Sequence, residues 1–174
     1  ITWMSLAEAQ EREFSPMNLV VVVPEPGEAS PRRPQLHLGL PEAALAHQAG
    51  LITKAEVRAV VLAKLKLLPG QVLWDVGAGC GSVGLEASLL VPGGKVFAVE
   101  RHPERSAQIG ANRDHYGVDN LEVVCGLAPE CLADLPDPHR VFVGGGGPMV
   151  GAIVEEAVRR LAPGGRVVVT AALL

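Results

Sequence analysis

The stretch Val72–Gly84, VLWDVGAGCGSVG, decides how this chain is read. Val72, Leu73 and Trp74 form a short buried strand, Asp75 is an acid at its end, and Gly77, Gly79 and Gly81 make a turn that opens a helix. Glycine suits that turn because the backbone must bend sharply and let a ligand lie against it, where any Cβ would collide. The helix that follows offers free N–H groups and the positive end of its dipole to whatever is bound. Asp75 can accept hydrogen bonds from a cationic or hydroxyl-bearing ligand. The pattern predicts a nucleotide-type site at the carboxyl end of a first strand.

Two chemistries use such a loop. Gly79-Cys80-Gly81-Ser82-Val83-Gly84 matches the dinucleotide pattern G-x-G-x-x-G, a weak signal by itself. The second pattern is D-V-G-x-G-x-G, counted from Asp75, which resembles the first motif of S-adenosylmethionine-dependent methyltransferases. The frame separates them. A dinucleotide fingerprint puts its first glycine at the strand end over a pyrophosphate, which an adjacent carboxylate would repel. Here the strand ends at Asp75–Val76, before that frame begins. S-adenosylmethionine has no phosphate and carries a sulfonium and an ammonium, so a carboxylate is welcome beside it.

Downstream, strands and helices alternate. Gly84 to Leu90 continues the first helix, and Lys95 to Val99 is a second strand ending in Glu100. An acid about twenty residues past the loop is what ribose hydroxyls require, because one carboxylate can accept from both. Pro103 starts a helix to about Tyr116, Leu121 to Cys125 is strand three, and Arg140 to Val143 is strand four. Gly144-Gly145-Gly146-Gly147 follows directly, then a helix from Met149 to Leu161 and strand five from Arg166 to Ala171. This spacing predicts a parallel α/β sheet with right-handed crossovers. The four-glycine run shares the sheet end with the first loop and Glu100. It reads as a wall where substrate approaches the donor with no side chain between.

Upstream, Leu40 to Ala49 reads as a short helical stretch ending at Gly50. Thr53 is placed to cap the next helix, with Glu56 completing a capping box. Val57, Val60, Val61, Leu65 and Leu68 share one helical face, and Lys54, Arg58, Lys64 and Lys66 sit off it on the solvated side. Ile1 to Glu13 is a weak amphipathic helix and Asn18 to Val23 a strand. Pro24 to Pro34 holds four prolines in eleven residues, a linker composition. The expected organisation is residues 1–34 as the tail of a preceding domain plus linker, and residues 35–174 as the domain of interest.

Of the 174 residues, 48% are hydrophobic and only 3% aromatic, so the core must be aliphatic and alanine-rich. The net charge of −4 argues against a general nucleic-acid or anionic-membrane binder. Cys80, Cys125 and Cys131 lack paired spacing, which suggests neither a zinc site nor a disulfide framework and favours a reducing, cytoplasmic setting. No apolar run approaches the length of a membrane span.

The ordered phrases GLITKAEVR, LWDVGAGCGSVGLEA, FAVERHPE, YGVDNLEVV, APECL and VFVGGGGP closely resemble one group of corrin-pathway enzymes. These are the C-terminal domain of precorrin-6Y C-5,15-methyltransferase (decarboxylating) and the separate cobalt-precorrin C-15-methyltransferases. The resemblance covers about Leu40 to Leu174, and FSPMNLVVV near the start is similar to the end of the tetrapyrrole-methylase domain that precedes it in fused relatives.

The resemblance implies a Rossmann-like class I methyltransferase fold, here lacking the last two antiparallel strands. It implies S-adenosyl-L-methionine as cofactor, and C-15 methylation of a precorrin with loss of CO₂ from its C-12 acetate, in cobalamin biosynthesis. The expected cofactor site is Thr53, Asp75, Gly77, Ala78, Gly79, Cys80, Gly81, Glu100, Arg101, Leu127 and Ala128, with Gly144, Gly145, Gly146 and Gly147 toward the substrate. The family usually has G-D-A where this chain has Gly126-Leu127-Ala128, so an aspartate hydrogen bond to the adenine amino group is replaced by an apolar contact. Expected partners are the precorrin tetrapyrrole, an N-terminal methylase domain of the same polypeptide and further copies of the chain, as a tetramer; neither nucleic acid nor membrane is expected. No acid or base is nominated. His102, His115 and His139 read as surface residues, and Arg101, Arg105 and Arg140 are candidates for the substrate's carboxylates by position alone. An oxidoreductase using a nicotinamide cofactor, a non-catalytic methyltransferase-like module and a methyltransferase of another small molecule or RNA are the alternatives.

Overall fold

The computed structural model describes residues 2, 4–14, 21–22, 34–48 and 50–170. The chain divides into two compact units, residues 1–32 and 33–174. In the first, helix α1 (Leu6–Gln10) is shorter than the sequence suggests. It is opened by a capping box: the Ser5 hydroxyl accepts from the Glu8 N–H, and the Glu8 carboxylate accepts from the Ser5 N–H. The expected strand at residues 18–23 and the linker at 24–34 lie largely outside the described residues.

The second unit is a parallel sheet of β1 (Val72–Val76), β2 (Lys95–Glu100), β3 (Leu121–Cys125), β4 (Arg140–Val143) and β5 (Arg166–Val169). The strand order is β3-β2-β1-β4-β5, every pair parallel. Parallel strands need crossovers, and helices supply most of them: α3 (Ser82–Ser88) joins β1 to β2, α4 (Pro103–Tyr116) joins β2 to β3, and α5 (Val150–Arg160) joins β4 to β5. Helix α4 shows why the sequence read so cleanly there. Pro103 opens it, and Gly117 closes it at φ +64°, donating its N–H to Asp114 O.

Both sheet faces are covered, so successive strand residues feed two cores. Leu73, Val96, Ala98, Leu121 and Phe142 pack with Val83, Leu85 and Ile109 on one face. Trp74, Val76, Phe97, Val99, Val141 and Val143 pack with Leu132, Ile153 and Ala157 on the other. A continuous apolar strand is therefore required rather than an alternating one. The Trp74 indole donates to Pro136 O, and the Arg160 guanidinium lies 5.1 Å from its ring centroid. Arg160 also donates to the carbonyls of Leu132, Ala133 and Leu135, tying α5 to the segment after β3.

The helix before β1 differs from the sequence expectation in three ways. First, α2 (Ala55–Leu65) ends earlier, because Lys66 adopts the left-handed conformation at φ +49°. Second, Thr53 is not its cap: Lys54 holds that position without a side-chain bond, and the Glu42 carboxylate accepts from the Ala55 N–H at 3.0 Å. Third, the buried face is Arg58, Val61, Leu62 and Leu65, while Val57, Val60 and Leu68 are exposed. Arg58, expected in solvent, is fully buried because Glu86 of α3 receives its Nε at 2.8 Å. The expected helix over 40–49 is only a single 3₁₀ turn, Glu42–Ala44.

Candidate functional site

All five strands point their carboxyl ends to one edge, and a cavity of about 550 Å³ opens there. Its floor is main chain. The carbonyl of Val99 accepts from both Gly77 N and Ala78 N, which pins the loop after β1 onto the end of β2. Gly144 N donates to Val76 O at 2.9 Å, which pins the loop after β4 onto the same turn. Gly77, at φ +74°, has Gly145 so close that an added Cβ would sit 2.7 Å from its nitrogen. Gly79, at φ +60°, faces open space: the nearest atom to an added Cβ is Leu51 O at 3.9 Å. The first glycine is dictated by its neighbour, the second by backbone conformation and by the cavity it borders.

Glu100 ends β2 with its residue almost wholly buried, yet it lines the cavity. Its Oε2 accepts from Gly79 N at 3.0 Å and its Oε1 from His102 N at 3.1 Å. A carboxylate has about four lone-pair positions, so two backbone donors orient it and leave capacity for a ligand's hydroxyls. Ser106 Oγ donates to the Glu100 carbonyl, which ties the start of α4 to the same strand end.

Twelve of the expected residues meet at this cavity: Thr53, Gly77, Ala78, Gly79, Cys80, Glu100, Arg101, Leu127, Ala128, Gly144, Gly145 and Gly146. Three do not line it. Asp75 is fully buried beneath the loop, its Oδ2 accepting from Gly84 N at 2.8 Å and its Oδ1 without a partner. Burial pushes its pKa up to about 7, with Glu100 adding to the rise and the Gly84 bond opposing it. Asp75 therefore braces the turn from below and does not line the cavity. Gly81 is spent on packing, since a Cβ there would lie 2.8 Å from the Ile109 side chain. Gly147 opens a 3₁₀ turn beyond the wall.

The other charged candidates separate in the same way. Arg101 and Arg105 line the cavity. Arg140 does not: it starts β4 at the opposite sheet end, donating to the carbonyls of Leu65, Lys66 and His139. His139 is likewise structural, its Nδ1 meeting the Val72 N–H at 3.1 Å. His102 and His115 are exposed. Burial raises the pKa of the Cys80 thiol, which disfavours its thiolate form. Among the described residues no group of His, Cys, Asp and Glu is arranged to hold a metal ion.

Sequence reasoning missed one wall. Gly50, Leu51 and Ile52 close the cavity together with Thr53, following a segment bonded to Glu86 of α3 and to Asn112 and Tyr116 of α4. Met149 and Ile153 reach it from the far side. No local pattern marks Gly50–Ile52, because the segment leading to it is held by bonds to residues 46 to 72 positions away.

A β3-β2-β1-β4-β5 parallel sheet with a glycine turn after β1 and a buried acid at the end of β2 defines a Rossmann-like nucleotide-binding class of domain. Residues 44–174 match the model of the precorrin methyltransferase domain family, and the chain belongs to that family. It is 46% identical over 128 residues to a precorrin-6Y C(5,15)-methyltransferase [decarboxylating] of Sinorhizobium sp, covering 74% of this chain and 31% of that protein. It is 45% identical over 129 residues to a probable cobalt-precorrin-6B C(15)-methyltransferase (decarboxylating) of Pyrobaculum calidifontis, covering 72% of this chain and 66% of that one. The crystal structure of precorrin-6y C5,15-methyltransferase from Geobacter metallireducens GS-15 superposes with a TM-score of 0.76 at 45% identity, over 79% of this chain and 73% of that one. The chain thus spans about a third of the first relative and just under two thirds of the second.

Proposed function

We propose that this domain binds S-adenosylmethionine at the carboxyl edge of the sheet and methylates C-15 of a precorrin, with loss of the C-12 acetate carboxyl as CO₂, in cobalamin biosynthesis. The observation that carries the reading is Glu100, a buried carboxylate oriented by Gly79 N and His102 N at the margin of a cavity floored by glycine backbone. The residues fit such a donor. Glu100 would take the ribose hydroxyls, Gly77, Ala78 and Gly79 the amino-acid end, and Leu127 and Ala128 an adenine face. The bound donor supplies an electrophilic methyl group on a sulfonium.

The chain's own residues act by placement. The Gly144–Gly146 wall keeps side chains out of the space between donor and acceptor, and the carbonyl and amide locks on Val99 and Val76 keep that space fixed. Transfer to an electron-rich carbon needs in-line approach above all, so proximity supplies most of the acceleration. Loss of CO₂ would leave an electron pair delocalised into the substrate's conjugated macrocycle, and a proton from solvent would complete the methyl group at C-12. Arg101 and Arg105 stand at the cavity to meet substrate carboxylates.

We carry two further readings with this one. Residues 1–34 end a preceding tetrapyrrole-methylase domain and link it to this one; the Sinorhizobium relative, about three times longer than the matched region, supports that reading. The cytoplasmic domain assembles as a homo-oligomer, for which light scattering should return a multiple of the 18.2 kDa chain mass; a monomer mass would sink it.

Calorimetric titration with S-adenosylhomocysteine and, separately, NADH tests the central reading. The wild-type chain should bind the first and not the second, and Glu100→Ala should lose the first. Binding of NADH alone would transfer the site to an oxidoreductase. With precorrin substrate, methyl incorporation should come with CO₂ release.

A further inference from the structure

The wall that sequence reasoning missed is tied to the rest of the site by one side chain. Asn112, in the third turn of α4, is 3% exposed and has three partners. Its Oδ1 accepts from Ala46 N at 2.8 Å, and its Nδ2 donates to Ala46 O and to Cys80 O, each at 3.0 Å. Ala46 belongs to the segment that becomes the Gly50–Thr53 wall, and Cys80 belongs to the glycine loop. A single planar amide thus joins the main chain of the glycine loop to Ala46, four residues before the Gly50 wall.

We infer that Asn112 is a positioning residue for the methyl donor: it fixes the Gly50–Thr53 wall at the distance from the glycine loop that the donor requires. The inference rests on the donor reading above. Its geometry stands on two independent observations. Asn112 bonds to Ala46, four residues before the wall, and to Cys80 of the glycine loop, and Leu51 O of the wall comes within 3.9 Å of the ideal Cβ position of Gly79, so wall and loop lie side by side. Other ties hold the segment without touching the glycine loop. Glu86 accepts from Gly39 N and Leu40 N, Arg58 donates to Leu40 O and Thr53 O, and the Tyr116 hydroxyl donates to Ala44 O. Removing Asn112 would leave the segment attached but free to move relative to Cys80.

The test uses the whole chain, with two variants and two readouts. Asn112→Ala removes all three bonds. Asn112→Asp keeps volume and the acceptor for Ala46 N but can donate to at most one of Ala46 O and Cys80 O, and serves where the alanine variant does not fold. Hydrogen exchange without ligand should speed up at residues 46–53 and 78–81 in either variant, while amides of β1 and β2 stay protected. The KM for S-adenosylmethionine and the dissociation constant of S-adenosylhomocysteine should rise about tenfold, the scale of one or two neutral hydrogen bonds. With saturating donor kcat should stay within about twofold, since the reacting atoms are untouched. Unchanged exchange at 46–53, or a fall in kcat with an unchanged donor KM, would overturn the inference. If the wild-type chain itself ignores S-adenosylhomocysteine, the donor reading fails, and the exchange measurement still decides whether Asn112 couples the two walls.

Discussion

Gly77 and Gly145 meet main chain to main chain, with an ideal Cβ on Gly77 falling 2.7 Å from the nitrogen and 2.8 Å from the Cα of Gly145. The loops after β1 and β4 therefore form one surface, and neither can shift alone. Gly77→Ala should cost at least about 1 kcal/mol more than Gly79→Ala in urea denaturation, because the collision adds to strain at φ +74°, and should abolish S-adenosylhomocysteine binding. Gly79→Ala, in open space, should cost only about 1–2 kcal/mol for its left-handed backbone. Equal costs at the two positions would mean that the loop contact is not a constraint.

Arg58 and Glu86 form a buried pair whose remaining bonds go to backbone at Gly39, Leu40 and Thr53. Truncation to Arg58→Met leaves a buried carboxylate without its cation, which should cost about 3–5 kcal/mol. A loss below about 1 kcal/mol would show that water enters and solvates Glu86.

Asp75 sets a pH dependence with a definite sign. Its carboxyl ionises near 3.8 ordinarily and about 7 in the fold, where burial disfavours the charge. Below the lower value both states are protonated and the full stabilisation is present. As pH rises toward the upper value the unfolded chain gives up this proton and the folded chain keeps it, so this contribution is lost. Asp75→Asn removes the titration. Between about pH 5 and about pH 8 the variant's urea midpoint should fall less than the wild type's. Parallel curves would refute the assignment.

Leu127 lines the cavity with half its surface exposed. If it lies beside adenine, Leu127→Asp should restore an acceptor for the exocyclic amino group and tighten S-adenosylhomocysteine binding by about 1 kcal/mol, roughly fivefold. Weaker binding would place the adenine elsewhere.

The sheet was legible where sequence carries its own punctuation. β3 and β4 have the expected bounds because each is a short apolar run between turn residues, and α4 announces both ends with Pro103 and Gly117. Glu100 and the glycine floor were legible because backbone geometry and a strand-end acid are local signals. Arg58, Asn112 and Arg140 were not. Each looks like an ordinary polar residue in sequence and becomes buried only because Glu86, Cys80 or the end of α2 arrives from elsewhere in the chain. Thr53 failed as a cap for the same reason, since Glu42 reaches the helix start from thirteen residues away. For Asp75 the strand position was readable, but whether its side chain points into the cavity or down onto Gly84 was not.

The strict parallelism of the five strands has a practical side. Every pocket-lining loop lies on one rim, and the turns at Pro92–Gly93 and Pro163–Gly164 lie on the other, where Gly93 and Gly164 have nothing within 4 Å of a built Cβ. The domain can thus be gripped from behind. A surface anchor, fluorophore or affinity handle installed beside those turns would leave the cavity mouth unobstructed.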